Sequence, residues 1–186
     1  MVETVSAVEE TQSPHHVVDI PTVSIWTAAE RGDLDSLLYY IQHSHDPVTL
    51  LNKRDPKTEC TLLHLVVSHV SEPYQALKLL LSNGADPWTR NVYNVQVLHT
   101  LPLYCSYPRE CYELLLGYPD LDINCRDGDS WTPLHYACRF SPSPLPIIEL
   151  LVTNGADVNA LDSSRKSPLF CLLANGDHVY ALSYFI

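Results

Sequence analysis

The feature of this sequence that most constrains its fold is a repeat with a period of about 35 residues. Four short segments can be laid over one another along the chain: Thr61-Leu62-Leu63-His64, Gln96-Val97-Leu98-His99, Thr132-Pro133-Leu134-His135 and Ser167-Pro168-Leu169-Phe170. Successive segments are separated by 35, 36 and 35 residues. Repetition at this interval is typical of stacked units that are stabilised by their neighbours, and it argues against one central core.

Each unit has the pattern of two short helices and a stop. A proline directly after Thr132 suits the first turn of a helix, which we expect to extend to about Phe140. After a proline-rich break, apolar residues recur at helical spacing in the segment 146–152, and Gly155 supplies a left-handed residue that ends the second helix. Two helices of this length cannot bury their apolar faces alone, so neighbouring units must stack.

These segments resemble the ankyrin repeat, which has a period of 33 residues and a T-P-L-H-x-A signature. The best match is Trp131-Thr132-Pro133-Leu134-His135-Tyr136-Ala137, completed by Asn154-Gly155-Ala156-Asp157-Val158-Asn159-Ala160. The resemblance covers roughly residues 24–186. It implies an all-α fold with short β-hairpin or turn tips, arranged as an ankyrin-repeat solenoid.

We expect the chain to consist of a tail and a repeat domain. The acidic N-terminal tail, residues 1–22, is predicted to be disordered. The ankyrin-repeat domain, residues 23–186, is predicted to contain a capping unit and four helix-loop-helix units. Their bounds are 23–51 for the cap and about 52–87, 88–123, 124–158 and 159–186 for the units.

The second full unit departs most from the family pattern. Gln96-Val97 replaces Thr-Pro, and Pro102 lies inside the first helix, where it removes one backbone hydrogen bond. We therefore expect this helix to be short or kinked. The hairpin tips also depart from the pattern, because the usual glycine is replaced by Glu59, Asn94, Ser130 and Arg165. Only asparagine readily adopts a left-handed conformation, so we expect some tips to form other turns.

The resemblance implies structural roles for several residues, including histidines that could be mistaken for catalytic or metal-binding groups. In this family the histidine of each unit links the threonine hydroxyl of its own unit to the backbone of a neighbour, and a glycine ends the second helix. The residues that carry these implied roles are Thr61, Thr132, His64, His99, His135, Gly84 and Gly155.

The sequence predicts no catalytic residues, no cofactor and no metal site. No nucleophile lies beside a recognisable base, and the phosphate loop, the serine elbow and the H-E-x-x-H helix are missing. The six cysteines form no C-x-x-C pair, so burial as reduced thiols is favoured over disulfides or a metal site. Asp122, Asp127 and Asp129 lack the spacing of an EF-hand loop, which favours a solvated tip over a calcium site.

The charge of the chain also restricts its partners. With 11 basic and 22 acidic side chains the net charge is −11, which argues against nucleic acid as a partner. No apolar run approaches the roughly 18 residues of a membrane span, and the N-terminus lacks the basic start of a signal peptide. We therefore expect an intracellular protein, cytoplasmic or nuclear, with no membrane insertion and no small-molecule substrate.

The resemblance implies a protein-binding function, because ankyrin arrays bind other proteins with their hairpin tips and first helices. We predict a scaffold or adaptor and not an enzyme, with a partner protein or peptide bound in the central region where tyrosines cluster. The candidate partner-binding residues are Trp88, Arg90, Tyr93, Tyr104, Asp127, Asp129, Trp131, Arg139, Phe140 and Arg165. Packing of the two tryptophans under their hairpins is an equally open alternative.

Two further functions stay open. The chain can be a targeting or regulatory module of a larger enzyme, ubiquitin-ligase adaptor or channel, because the end of its last unit is apolar where a terminal unit needs a polar face. In addition, Asn124 and Asn159 each follow a leucine by eight residues, a spacing that resembles sites of asparaginyl hydroxylation in animal ankyrin repeats.

Overall fold

A computed structural model describes residues 20–176 and 178–186, and in these ranges the chain is helical without a β-strand. The predicted all-α solenoid is confirmed, whereas the predicted tail, residues 1–22, lies almost wholly outside the described residues. The helices are α1 (Ile25–Arg31), α2 (Leu34–Gln42), α3 (Pro47–Leu51), α4 (Leu62–His69), α5 (Tyr74–Ser82), α6 (Val97–Tyr104), α7 (Pro108–Leu116), α8 (Pro133–Phe140), α9 (Leu145–Thr153) and α10 (Pro168–Asn175). A 3₁₀ helix, Val179–Tyr184, follows.

The helices form two layers. The inner layer consists of α1, α4, α6, α8 and α10, each packed on the next, and the outer layer consists of α2, α5, α7 and α9 in the same order. Leucine, valine, alanine and isoleucine side chains between the layers form one continuous apolar core. Because isolated helices of eight or nine residues are unstable in water, the contacts between neighbouring units stabilise the fold.

The first and last units differ from the predicted pattern. The long first connection contains α3, which begins after Asp46, whose carboxylate accepts a hydrogen bond from the Thr49 N–H at 3.0 Å. Val48 of α3 covers Gly84, so closely that a Cβ on this glycine would lie 2.9 Å from the Val48 side chain. At the other end, the second helix of the last unit is the 3₁₀ helix, which packs against α9.

The prediction that some tips adopt other turns holds for the first tip only. The four non-glycine residues at the tips all have positive φ, with values of 54° for Glu59, 63° for Asn94, 64° for Ser130 and 62° for Arg165. A left-handed conformation costs such residues about 1–2 kcal/mol each. In the last three tips the left-handed residue donates its N–H to the carbonyl three residues earlier, whereas in the first tip the Glu59 N–H donates to the Asp55 carbonyl, four residues earlier, so this turn is one residue longer. Other contacts must stabilise the left-handed residues.

Hydrogen bonds within and between the tips provide that stabilisation. Each turn begins at Asp55, Asn91, Asp127 or Asp162, whose side-chain oxygen accepts the backbone N–H two residues later. Neighbouring tips are also joined directly, for example by the Gly128 N–H, which donates to the Tyr93 carbonyl at 2.8 Å. A Cβ on Gly128 would lie 3.0 Å from that oxygen, so glycine permits this close approach.

The first helix of the second full unit was predicted to be short or kinked, and it is not short. Helix α6 has eight residues, as many as α4 and α8, although Pro102 cannot donate a hydrogen bond to the Leu98 carbonyl. The hydroxyl of Tyr112, which is fully buried in α7, donates to that carbonyl at 2.7 Å. A neighbouring helix therefore supplies the donor that the proline lacks.

This compensation predicts a strong coupling between Tyr112 and Pro102. Tyr112→Phe leaves the buried Leu98 carbonyl without a donor and should lower the free energy of unfolding by about 1–3 kcal/mol. In a Pro102→Ala background, where an N–H is restored, the same change should cost clearly less. Denaturant unfolding of the four proteins in this double-mutant cycle measures the coupling, and additive effects would contradict the assignment.

Candidate functional site

Three aromatic side chains of the third full unit pack together on the inner layer. Trp131 stacks on Phe140 with ring centroids 5.9 Å apart, and Tyr136 lies edge-on to Trp131 at 5.6 Å. Tyr136 also contacts Phe140, with 5.7 Å between the ring centroids. The first of these residues belongs to the hairpin and the other two to α8, so the cluster joins a tip to an inner helix.

Asp127 holds this cluster in place through hydrogen bonds to its carboxylate. One oxygen of its carboxylate accepts the backbone N–H groups of Asp129 and Trp131, at 2.9 and 2.8 Å. The other oxygen accepts the Tyr136 hydroxyl at 2.8 Å. Burial and this hydrogen bond raise the pKa of Tyr136, so the phenol stays protonated and remains a donor. Asp127 therefore has a positioning role in the site.

His99 holds the same hairpin from the preceding unit. Its Nε2 lies 3.2 Å from the carbonyl oxygens of both Cys125 and Trp131. The Gln96 N–H donates to Nδ1 at 3.2 Å, so Nδ1 must be unprotonated and Nε2 must carry the proton. The backbone of Trp131 is thus bonded to α6, and the tryptophan ring is positioned by two units.

His64 and His135 make the equivalent link in their own units. In each case Nδ1 accepts the threonine N–H and contacts the threonine hydroxyl, and Nε2 donates to a carbonyl of the next unit 3.1 Å away. Burial lowers the pKa of all three histidines, because the charged imidazolium is poorly solvated there. These histidines connect units and are poorly placed for catalysis.

The exposed part of the site lies at the ends of two neighbouring inner helices. Tyr104 and Phe140 are the last residues of α6 and α8, and they expose 50% and 43% of their surface. The Arg139 guanidinium lies 5.6 Å from the centroid of the Phe140 ring. We call Tyr104, Trp131, Tyr136, Arg139 and Phe140 the aromatic surface.

Arg90 belongs instead to a ladder of arginines along the hairpins. Arg54 donates to the Arg90 carbonyl at 2.7 Å, Arg90 to the Arg126 carbonyl at 2.8 Å, and Arg126 to the Leu161 carbonyl at 2.7 Å. Each guanidinium therefore bonds the backbone of the following tip. These bonds stabilise the array and occupy donors that the sequence analysis had assigned to a partner.

Trp88 lies apart from the aromatic surface and has a different neighbour. It makes an edge-on contact with Tyr118, which follows α7, at 6.3 Å between ring centroids. Of the other candidates, Tyr93 is 73% exposed at a tip, and Asp129 and Arg165 are also exposed at tips. The structure thus groups Trp131, Arg139 and Phe140, with Asp127 bonded to the Trp131 backbone and Tyr104 at the end of the neighbouring helix α6. Trp88 and Arg90 have other partners.

Tyr136 is the residue of the site that the sequence analysis missed. It lies inside the Trp131-Thr132-Pro133-Leu134-His135-Tyr136-Ala137 match, in which we predicted a partner-binding role for Trp131 alone. A signal was present, because Tyr136 lies four residues before Phe140 and therefore on the same helix face.

The two asparagines proposed as hydroxylation sites differ in their environment. The Asn124 side chain donates to the Gly155 carbonyl at 3.0 Å and accepts the Asp157 N–H at 2.7 Å, and Asn52 makes the same pair of bonds in its unit. Asn159 is exposed. Hydroxylation of Asn124 would require these two hydrogen bonds to break, whereas Asn159 is accessible in the folded chain.

The described residues contain neither a cluster of metal-ligating side chains nor a membrane-spanning helix. No group of three or more His, Cys, Asp or Glu side chains is arranged there to hold a metal ion. Within the same ranges, no helix combines the length and the apolar character needed to cross a membrane.

The fold is that of a helical-repeat protein, and the site is an aromatic surface on its inner helices. A family model described as ankyrin repeats, in three copies, matches residues 101–186, and relatives named as ankyrin repeat proteins match further parts. Residues 101–186 thus consist of ankyrin repeats.

Its relatives include viral and animal proteins. Ankyrin repeat protein OPG189 of Variola virus is 30% identical over 125 residues, which is 63% of this chain and 21% of that protein. SH3 and multiple ankyrin repeat domains protein 2 of Homo sapiens is 34% identical over 103 residues, or 55% of this chain and 5% of that protein. Putative ankyrin repeat protein FPV230 of Fowlpox virus is 25% identical over 184 residues, which is 79% of this chain and 97% of that protein. The chain thus spans about a fifth of the Variola virus protein.

The buried histidines predict that stability falls in mild acid. Because their pKa is lowered in the folded state, the unfolded chain binds more protons below about pH 6.5, and stability is lost as the pH falls toward the folded-state pKa. Urea unfolding between about pH 7.5 and 5.5 should show this decrease, and His135→Gln should reduce its slope. The exposed His43 and His45 serve as controls, and an unchanged slope in His135→Gln would contradict the prediction.

Hydroxylation stays a prediction that mass spectrometry of native material can test. The peptides that contain Asn124 and Asn159 should gain the mass of one oxygen atom, with the exposed Asn159 modified to the larger extent. Unmodified peptides for both residues would refute it.

Proposed function

We propose that this chain is a protein-interaction module, a scaffold or adaptor, that binds a partner protein or peptide at the aromatic surface. Ankyrin repeats are generally protein–protein interaction modules, and residues 101–186 consist of such repeats. The observation that carries the proposal is the exposed Tyr104 and Phe140 at the ends of two adjacent inner helices, with the half-buried Arg139 beside the Phe140 ring. Trp, Tyr and Arg are the residue types that contribute most to protein-binding energy.

The rigidity of the aromatic surface supports this role. The Trp131 backbone N–H and the Tyr136 hydroxyl donate hydrogen bonds to the Asp127 carboxylate, and the Trp131 carbonyl accepts one from His99. Side chains that are already ordered lose little conformational entropy when a partner binds. Phe140 and Tyr104 then supply apolar area, while the Arg139 guanidinium can pair with a carboxylate or carbonyl of the partner.

The tips form the second part of the proposed interface. Tyr93, Asp129 and Arg165 are exposed there, whereas Arg90 is bonded to backbone carbonyls and is left out of the proposal. Trp88 is also left out, because it packs against Tyr118. We therefore expect the main contact of the partner on the inner helices and additional contacts at the tips.

A second proposal is that the chain serves as a targeting or regulatory module of a larger protein, such as an enzyme, a ubiquitin-ligase adaptor or a channel. The small share of the Variola virus and human relatives that it spans, 21% and 5%, favours this possibility. An antibody raised against the array should then detect a native protein well above 21.0 kDa. A single native band at that mass would contradict it.

Removing the exposed rings should abolish binding without unfolding the array. We expect Tyr104→Ala combined with Phe140→Ala to cost about 2 kcal/mol or more, which is roughly a 30-fold loss of affinity. The probe is the set of peptides selected by the wild-type array from a random display library. Affinities for wild type and variant are then measured by calorimetry.

Tyr107→Ala is the matched control, because Tyr107 is 68% exposed but lies in the loop between α6 and α7. The control should bind the selected peptides like wild type, and the thermal unfolding midpoints of all proteins should agree closely. Equal affinities of wild type and the double variant, with both folded, would overturn the proposed site.

A further inference from the structure

Two cysteines lie side by side in a groove at the C-terminal end of α6. The Sγ atoms of Cys105 and Cys111 are 3.9 Å apart. The groove has a volume of about 360 Å³ and is lined by both thiols together with Glu72, Tyr107 and Glu110. The partly exposed Cys105 thiol therefore borders space that a small molecule can enter, in the loop that directly follows Tyr104 of the aromatic surface.

Among the described cysteines only Cys60 and Cys105 are partly exposed, whereas Cys111 is fully buried. Cys125, Cys138 and Cys171 are buried, and burial raises the pKa of Cys125 to about 12 and of Cys171 to about 11. Such thiols are poor nucleophiles at neutral pH. The Cys105 side chain is only partly buried.

The backbone around the pair allows the two sulfurs to approach each other. A disulfide has an S–S distance of about 2.05 Å, so each sulfur has to move by about 1 Å. Cys105 follows the last residue of α6 and lies in the loop 105–107, while Cys111 lies in the first half of α7. The movement can therefore be taken up by the loop without breaking a helix.

The two thiols are also chemically unequal. A hydrogen bond from the Cys111 S–H lowers the pKa of Cys105, helped by the Tyr107 N–H and opposed by burial and by Glu110 and Glu72. The same contact with Cys105, together with burial, raises the pKa of Cys111. Cys105 is therefore the thiol that ionises first, and Cys111 is the protonated partner.

We propose that Cys105 and Cys111 form a peroxide-sensitive dithiol that closes to a reversible disulfide. The Cys105 thiolate attacks hydrogen peroxide, the O–O bond breaks, and sulfenic acid forms as hydroxide leaves and takes up a proton. The Cys111 thiol then attacks the Cys105 sulfur, the S–O bond breaks, and the second water leaves with the thiol proton. In total two thiols and one peroxide give one disulfide and two waters.

The reaction leaves a defined product at the α6–α7 loop. The disulfide links the loop directly to α7 and consumes the only two cysteines that line the groove. The backbone N–H of Ser106 donates to the Ser71 carbonyl of the preceding unit at 2.9 Å. Oxidation of this loop therefore also affects the contact between two units.

The test is mass spectrometry of the whole chain before and after hydrogen peroxide. We expect the loss of two hydrogen atoms, reversed by dithiothreitol. Trypsin cleaves after Arg109, so the disulfide should join peptides 91–109 and 110–126 covalently. Cys105→Ser and Cys111→Ser should each abolish the joined peptides, whereas Cys138→Ser should not. Cys125→Ser should also retain them, which separates Cys111 from the second cysteine of peptide 110–126.

Three results would overturn the proposal. The first is six free thiols after treatment that oxidises a free cysteine peptide completely. The second is oxygen addition to Cys105 without a joined peptide. The third is a joined peptide that persists in Cys111→Ser, which would assign the bond to Cys125.

Discussion

The contact between successive units is the interaction on which the rest of this structure depends. Helices of eight or nine residues are too short to persist alone, so each inner helix must pack on the next one. Polar bonds fix the register of this packing, since each buried histidine donates to a carbonyl of the following unit. The arginine ladder and the bonds between neighbouring tips repeat the same connection along the hairpins.

Paired changes explain how the second full unit keeps the geometry of the array. Pro102 removes a donor, and Tyr112 of the adjacent helix supplies one. Trp88 replaces the bridging asparagine found at Asn52 and Asn124, and it packs against Tyr118 instead. Each deviation is thus matched by a second residue in contact with it, which is why a unit with a weak sequence pattern is still regular.

The sequence was sufficient to predict the solenoid, since the repeat interval and the helical spacing of apolar residues are local signals. It failed where the outcome depends on contacts between units. The left-handed Glu59 and Arg165 and the full length of α6 depend on hydrogen bonds from other segments, which no local propensity contains. At the site, residue type selected Trp131 and Phe140, which stack on each other in the structure, whereas Arg90 could be assigned to the backbone ladder only from the structure.

The central claim is that a partner covers the aromatic surface while the unit contacts stay unchanged. Hydroxyl-radical footprinting of the array, free and bound to a selected peptide, measures this directly because it reports the solvent exposure of individual side chains. The account predicts that labelling of Tyr104 and Phe140 falls on binding, while Tyr107 and Tyr180, which are also exposed, are labelled as before. Protection of Tyr107 or Tyr180 with unchanged labelling of Tyr104 and Phe140 would contradict it.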